Sequence, residues 1–291
     1  MALPETTPPS PSSSEAEPWS ADDFAPIMAF LRSKIGITLE PHRMGLLQAR
    51  LRSRLQARGF RSYTQFYEKV LKVDPSGPGT QLLIDLSTVN HTAFFREPNH
   101  FSFLTEQFAG ILKNGTGGVL KIWSAGCSTG QEPYSMAMAL AESVSNLSPQ
   151  KLEIQATDLS MEVVKVAARA IYHDREVAGV SPARLRRYFL RGRGPRAGSY
   201  RVVPEIRDVV KFRHLDLRNP VWPLPNDFHA ILCRNVSIYF AEDERLELLN
   251  RLAQYLRPGG WLVMGSGEIL PGVPKSLRKH SPAIFRKVEQ P

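Results

Sequence analysis

The chain has 291 residues and carries 37 lysines and arginines against 28 acids, a formal charge of +9. Its 42% apolar content supports a sizeable core, and its length suits one large domain or two modest ones. No apolar run approaches the roughly 20 residues of a membrane span, no positive segment leads into an apolar one as in a secretory signal, and two cysteines, Cys127 and Cys233, are too few for a disulfide framework or a cysteine-rich zinc site. The expected location is therefore the cytoplasm.

Residues 1–21 are rich in proline and serine with almost nothing to bury, which predicts a disordered tail. A helical domain is expected over 22–75, with helices near 24–35, 41–58 and 63–71, each showing apolar residues three and four apart. In the second of these, Met44, Leu47, Leu51 and Leu55 share one stripe. Arg43, Arg50 and Arg54 share the next, either as a solvated flank or as a cationic ridge for docking an acidic helix. Breakers crowd residues 73–79, so 76–90 reads as a linker.

The remaining segment, 91–291, alternates short apolar strands with helices. Strands are predicted at 119–123, 152–157, 209–215, 228–233, 261–265 and 283–288, and helices at 132–144, 161–170 and 243–256, with a Pro258-Gly259-Gly260 turn before the fifth strand. This alternation implies a mostly parallel sheet covered on both faces, with its ligand site at the carboxyl ends of the strands. One stretch interrupts it. A short helix at 182–190 and three glycines, Gly192, Gly194 and Gly198, between two short apolar runs predict a small antiparallel β-subdomain at about 181–213.

The positive charge is confined. Residues 24–75 hold ten bases against three acids and residues 181–213 ten against two, while the rest of the chain beyond residue 23 is close to neutral. Two local cationic surfaces suggest an acidic partner: nucleic acid, anionic lipid or an acidic protein.

The strongest local signal for chemistry is Trp123-Ser124-Ala125-Gly126-Cys127-Ser128-Thr129-Gly130-Gln131-Glu132-Pro133-Tyr134-Ser135, a strand opening through glycines into a helix. It lacks the glycine spacing of a dinucleotide fingerprint and the Gly-Lys-Ser/Thr of a phosphate loop. Asp158 closes the second strand, where an acid can accept hydrogen bonds from ribose hydroxyls or cap the following helix. A ribose without a diphosphate, beside an acid at Glu132, fits S-adenosylmethionine.

Four motifs then occur in order: Asn90-His91-Thr92-Ala93-Phe94-Phe95-Arg96-Glu97, the glycine segment above, Cys233-Arg234-Asn235-Val236-Ser237-Ile238-Tyr239-Phe240, and Leu256-Arg257-Pro258-Gly259-Gly260. Together they closely resemble the CheR-type chemotaxis receptor methyltransferases, from about residue 22 to 288. The resemblance implies a Rossmann-like class I methyltransferase sheet with an N-terminal helical domain and an inserted antiparallel β-subdomain. It implies methyl transfer from S-adenosylmethionine to glutamate side chains of bacterial chemoreceptors, giving glutamyl methyl esters and S-adenosylhomocysteine with no metal. By the same resemblance Asn90, Thr92, Arg96, Gly126, Glu132, Asp158, Asp216, Leu217, Arg234 and Asn235 line the cofactor pocket. Arg96 and Tyr239 lie nearest the methyl group. Asp216 departs from the asparagine found there in many members.

The glycine-rich hairpin further resembles the subdomain of members that bind a receptor's C-terminal peptide as an added strand, and Arg184, Arg187 and Arg193 are the cations expected to meet that peptide. The partners expected are thus receptor helices and a receptor tail, recruiting a monomer to membrane arrays without insertion. Two other readings remain. A nucleic-acid methyltransferase would suit the charge, but enzymes that methylate an exocyclic base nitrogen usually carry an Asp/Asn-Pro-Pro-aromatic turn where this chain has Arg234-Asn235-Val236. The other is a non-catalytic module binding S-adenosylmethionine or a receptor tail; Arg96, Glu132, Asp158 and Tyr239 are all intact, which argues against lost catalysis.

Overall fold

The computed structural model describes residues 17–36, 41–87, 92–114, 118–144 and 147–288. Apart from Gly36, the described residues up to Leu86 form one compact unit and those from Ser87 onward a second.

The first unit is helical. Ser20 caps α1 (Ala21–Phe30) by accepting the Asp23 N–H, and a π-helical turn continues it to Ile35. α2 (Pro41–Gln56) and α3 (Tyr63–Phe66, again with a π-turn extension) pack Phe24, Ile27, Leu47, Leu51, Leu55, Tyr63 and Phe66 into a core. The predicted leucine stripe of α2 is thus its buried face, and Arg50 and Arg54 lie exposed beside it; Arg43's side chain lies outside the described residues. Asp23 is buried despite its charge. Its carboxylate accepts the N–H groups of Trp19, Tyr63 and Thr64 at 2.7–2.9 Å and so ties α1 to α3.

The expected linker at 76–90 is corrected over most of its length, because Pro78–Ser87 forms a further helix, α4. Pro78 sits in the first turn, where its missing N–H does no harm. The Thr80 hydroxyl donates to Pro75 O, and Leu83 is fully buried.

The second unit begins with α5 (Pro98–Asn114), a helix missed by the sequence reading although Phe101, Leu104, Phe108 and Leu112 recur at helical spacing and are all buried. It then alternates β1 (Leu120–Ala125), α6 (Gln131–Ala141), β2 (Leu152–Asp158) and α7 (Met161–Arg169). An excursion follows through β3 (Ile171–His173), α8 (Asp174–Val177), α9 (Pro182–Tyr188), β4 (Phe189–Arg191), β5 (Ser199–Val202) and α10 (Pro204–Arg207). The chain returns with β6 (Val210–His214), β7 (Phe228–Cys233), α11 (Glu242–Tyr255), β8 (Leu256–Met264), β9 (Leu277–Ser281) and β10 (Ile284–Lys287).

Seven strands form the main sheet in the order β6-β2-β1-β7-β8-β10-β9, parallel from β6 to β8 and antiparallel at the β10-β9 edge. This is the expected doubly wound Rossmann-like sheet, and strand order reverses between β1 and β7. The β-subdomain has three strands, not the two of a hairpin: β3 pairs with β5, and β5 with β4. The Pro-Gly-Gly segment is corrected as well. β8 begins at Leu256, and residues 257–260 bulge within it, between the pairs Phe228–Leu256 and Ala230–Trp261.

Opposite this bulge lies buried His229. Its Nδ1 faces the Lys121 N–H at 3.1 Å and its Nε2 the Arg257 guanidinium at 2.6 Å. Burial and the Arg257 charge push its pKa down to about 4. An unfolded histidine titrates near 6.5, so its contribution to stability is complete above that value, declines as pH falls through the interval to 4, and is constant below. We expect roughly 2 kcal/mol of stability to be lost from this group between pH 7.5 and 5. Urea unfolding of His229→Gln should show a correspondingly shallower pH dependence, and an unchanged slope would refute the assignment.

Candidate functional site

Every predicted cofactor residue in the described part of the second unit lies at or just beyond the carboxyl end of a strand or on the segment bonded to those ends. β1 leaves the sheet at Ala125 and turns on Gly126, whose φ is +87°. A Cβ there would lie 2.2 Å from Val236 Cγ2, so only glycine lets the chain pass so close to the end of β7. Gly126 and Cys127 donate their N–H groups to Thr157 O at 2.8 and 2.9 Å, locking the turn to β2. Gly130, also left-handed, caps α6.

Asp158 receives the Ser128 N–H on one carboxylate oxygen (2.8 Å) and the Ser160 N–H on the other (2.9 Å). Burial raises its pKa against the pull of these donors. The Ser128 hydroxyl beside it is buried without a hydrogen-bond partner. A polar ligand group is what such a hydroxyl lacks.

Glu132, in the first turn of α6, accepts from the Ser124 hydroxyl at 2.8 Å and from Arg234 Nη1 at 3.1 Å. Burial pushes its carboxyl up, and the Arg234 charge and the Ser124 bond offset only part of this. Arg234, just past β7, is the hub. Its side chain is 2% exposed, and Nη2 donates to the Arg96 carbonyl at 2.5 Å and lies 3.3 Å from the Glu97 carboxylate. Burial raises the Glu97 carboxyl, but hydrogen bonds from Ser266 and the Arg234 and His100 charges outweigh it and leave it below the usual range. His100 is lowered, first by burial and then by Arg234. The sequence alone did not single out Ser124, Glu97, His100 and Ser266; Ser124 and Glu97 lie inside quoted motifs, whereas His100 and Ser266 have no local signal.

The segment carrying Arg96 is conformationally forced. Phe95 and Glu97 both have positive φ, as do Ser128 and Asn235. Four of the six described non-glycine residues in that region therefore surround one site, which is where strained backbone concentrates. Phe94 is wedged edge-on between Tyr172 and Phe189, and the Phe95 N–H donates to the Ser135 hydroxyl at 2.9 Å. These contacts present the Arg96 side chain on the surface. Thr92 is half-buried, while Asn90 lies outside the described residues. Tyr239 ends a 3-10 turn after β7 and packs half-buried against the apolar cluster that includes Trp123, Trp222, Phe240 and Leu248. Leu217 is buried, and the Asp216 carboxylate accepts the N–H of Arg218 and both its Nε and Nη2. The contact expected of Asp216 thus falls to a carboxylate already bound to a neighbour.

In the β-subdomain the close approach is at Gly192, where a Cβ would meet Arg196 O at 2.0 Å. Gly194 and Gly198 both have positive φ, and Arg193 is exposed. Arg184 is not available as expected. Its guanidinium donates to both Glu142 carboxylate oxygens at 2.8 Å and lies 3.9 Å over the Phe95 ring. Arg187 reaches Ala141 O at 3.4 Å.

Residues 90–284 match the family model of the CheR methyltransferase SAM-binding domain, and residues 22–85 that of the CheR methyltransferase all-alpha domain. Over 245 residues the chain is 36% identical to a chemotaxis protein methyltransferase of Salmonella typhimurium and to one of Escherichia coli, covering 84% of this chain and 83% of each relative. It is 34% identical over 266 residues to chemotaxis protein methyltransferase 2 of Pseudomonas aeruginosa, covering 91% of this chain and 93% of the relative.

Proposed function

The chain belongs to the CheR methyltransferase family, and on that premise we propose that it transfers the methyl group of S-adenosylmethionine to glutamate carboxylates on the cytoplasmic helices of chemoreceptors. The observation that carries this reading is the convergence of Gly126, Glu132, Asp158 and Arg234 at the β1/β7 switch point, with Arg96 anchored to them through Arg234. The unpartnered Ser128 hydroxyl beside the Asp158 and Glu132 carboxylates, both raised in pKa by burial, fits a ligand with a ribose and an amino acid moiety. When bound, S-adenosylmethionine supplies an electrophilic methyl on a positively charged sulfur.

The protein's own task is then mainly one of positioning. A substrate glutamate, with an ordinary pKa near 4.3, is ionised at pH 7 and needs no general base. Asp158 and Ser128 hold the ribose hydroxyls, and Glu132 faces the amino group. Arg96 orients the incoming carboxylate by a charge-assisted bond, and the Tyr239 hydroxyl donates to it. No helix among the described residues is long and apolar enough to cross a membrane, so membrane recruitment is assigned to the receptor: its acidic helices against Arg50 and Arg54, and its C-terminal peptide along the β-subdomain near Arg187 and Arg193.

Labelled methyl should pass from S-adenosylmethionine to receptor-bearing membranes and be released by base as methanol, the mark of an ester. Label that survives base, or no label, would overturn the reading. A receptor lacking its tail that is methylated as fast as the intact one would remove the tethering part alone.

A further inference from the structure

Glu268 lies four residues beyond β8, in the sequence Gly265-Ser266-Gly267-Glu268, and belongs to none of the four motifs. Its side chain nevertheless collects five hydrogen bonds. Oε2 accepts the N–H of Asn235 (2.9 Å) and of Gly265 (2.6 Å). Oε1 accepts the N–H of Val236 (3.1 Å), the N–H of Ser237 (2.9 Å) and the Ser237 hydroxyl (2.7 Å). Asn235 is left-handed and Val236 right-handed helical, so successive N–H groups converge on one point, a backbone nest that favours an anion. Gly265 lets the two side chains close in: a Cβ there would lie 2.8 Å from both Asn235 Nδ2 and Glu268 Oε2 and would push one of them aside.

The same loop grips the other side of the site. Ser266 donates its N–H (3.1 Å) and hydroxyl (2.8 Å) to Glu97, the residue after Arg96. Tyr239 follows Ser237 by two residues, and its N–H bonds Val236 O at 3.1 Å within the turn that Glu268 holds. Residues 265–268 therefore join the Arg96 segment to the Tyr239 segment through side chains that themselves need not touch a substrate.

We propose that Glu268 is a positioning residue for methyl transfer: its carboxylate, seated in the 235–237 nest, sets the distance between Arg96 and Tyr239. The inference rests on the methyltransferase reading above. A glutamine of the same shape cannot replace it. Whichever way its amide is turned, the NH₂ group faces N–H donors, either those of Asn235 and Gly265 or those of Val236 and Ser237.

The test is steady-state kinetics of Glu268→Gln and of Ser237→Ala on receptor membranes, with cofactor affinity measured by calorimetry and melting temperature recorded alongside. We expect kcat to fall roughly 10–100-fold in Glu268→Gln, the scale of loss when a change outside the reacting groups misplaces them by a fraction of an ångström to about 1 Å. It should fall about threefold or more in Ser237→Ala, which removes one of the five bonds, with receptor KM and cofactor Kd within about threefold of wild type in both. A purely structural brace would lower kcat, cofactor affinity and melting temperature together, and that result, or unchanged kcat in both variants, overturns the proposal. If Glu268→Gln does not fold, Ser237→Ala decides alone. A wild-type chain that transfers no methyl overturns the methyltransferase reading, and this inference with it.

Discussion

Arg96→Ala should reduce kcat for methyl-ester formation by about 10²–10³-fold while leaving S-adenosylmethionine affinity within about threefold. The asymmetry follows from which part of Arg96 holds Arg234. Its carbonyl, not its guanidinium, accepts the buried Arg234 bond at 2.5 Å, and alanine keeps that carbonyl. Positive φ at Phe95 and Glu97, the Phe95 bond to Ser135 and the seat of Phe94 between Tyr172 and Phe189 likewise belong to its neighbours. The variant therefore keeps the backbone bond that holds Arg234 and loses the guanidinium at the exposed position 96. Losing one charge-assisted bond to a carboxylate that must be aligned in line with the methyl costs about 3–4 kcal/mol of transition-state stabilisation. Arg96→Lys should recover only part of the rate, because an ammonium cannot form the planar fork that fixes a carboxylate in two dimensions. Single-turnover transfer of labelled methyl, beside calorimetric cofactor binding, separates the two quantities; full activity of Arg96→Ala would remove it from the reaction.

The legible parts of this site were those whose reason is local. Gly126 and Gly130 are needed because the backbone there is left-handed, and a glycine pair between an apolar strand and a helix announces that need. Asp158 stands at a strand end, and β1, β2 and β7 are buried along almost their whole length because they are covered on both faces. What was missed depends on partners far along the chain. β9, Leu277–Ser281, exposes Arg278, Lys279 and His280 and has little strand character of its own; it exists because β10 pairs with it. β3 is three residues long and is defined by its register with β5. α4 hid behind Pro78 and Gly79, which break a helix interior but suit its first turn. Arg184 looked like a docking cation until its partner, Glu142, proved to be 42 residues away. Glu268 is the extreme case: a lone acid after Gly265-Ser266-Gly267, whose partners, four amides and the Ser237 hydroxyl, are set by the fold.

Replacing Arg234 with methionine should lower the melting temperature by on the order of 10 °C. The substitution keeps most of the apolar volume but removes the cation shared by Glu132 and Glu97, whose side chains are 13% and 23% exposed. Breaking a buried pair by deleting one partner costs about 3–5 kcal/mol, since the remaining charge stays buried and unpaired. A domain of this size loses roughly 2–4 °C per kcal/mol. The loss should depend on pH with a definite sign. Burial already raises the Glu132 carboxyl, and without Arg234 it rises further. A carboxyl whose folded pKa lies above its unfolded one destabilises the fold at neutral pH and ceases to do so as pH falls and it becomes protonated. The gap between variant and wild type should therefore narrow on acidification. A second change, Glu132→Gln, should recover part of the loss at pH 7, because a neutral amide needs no counter-charge, while the Glu97 carboxylate keeps its bonds from Ser266. Melting curves of the wild type, the single and the double variants at pH 7.5 and 5.5 test each step. Equal melting temperatures for wild type and Arg234→Met would mean that the two carboxylates are solvated in the absence of the arginine, and that the hub stabilises neither of them.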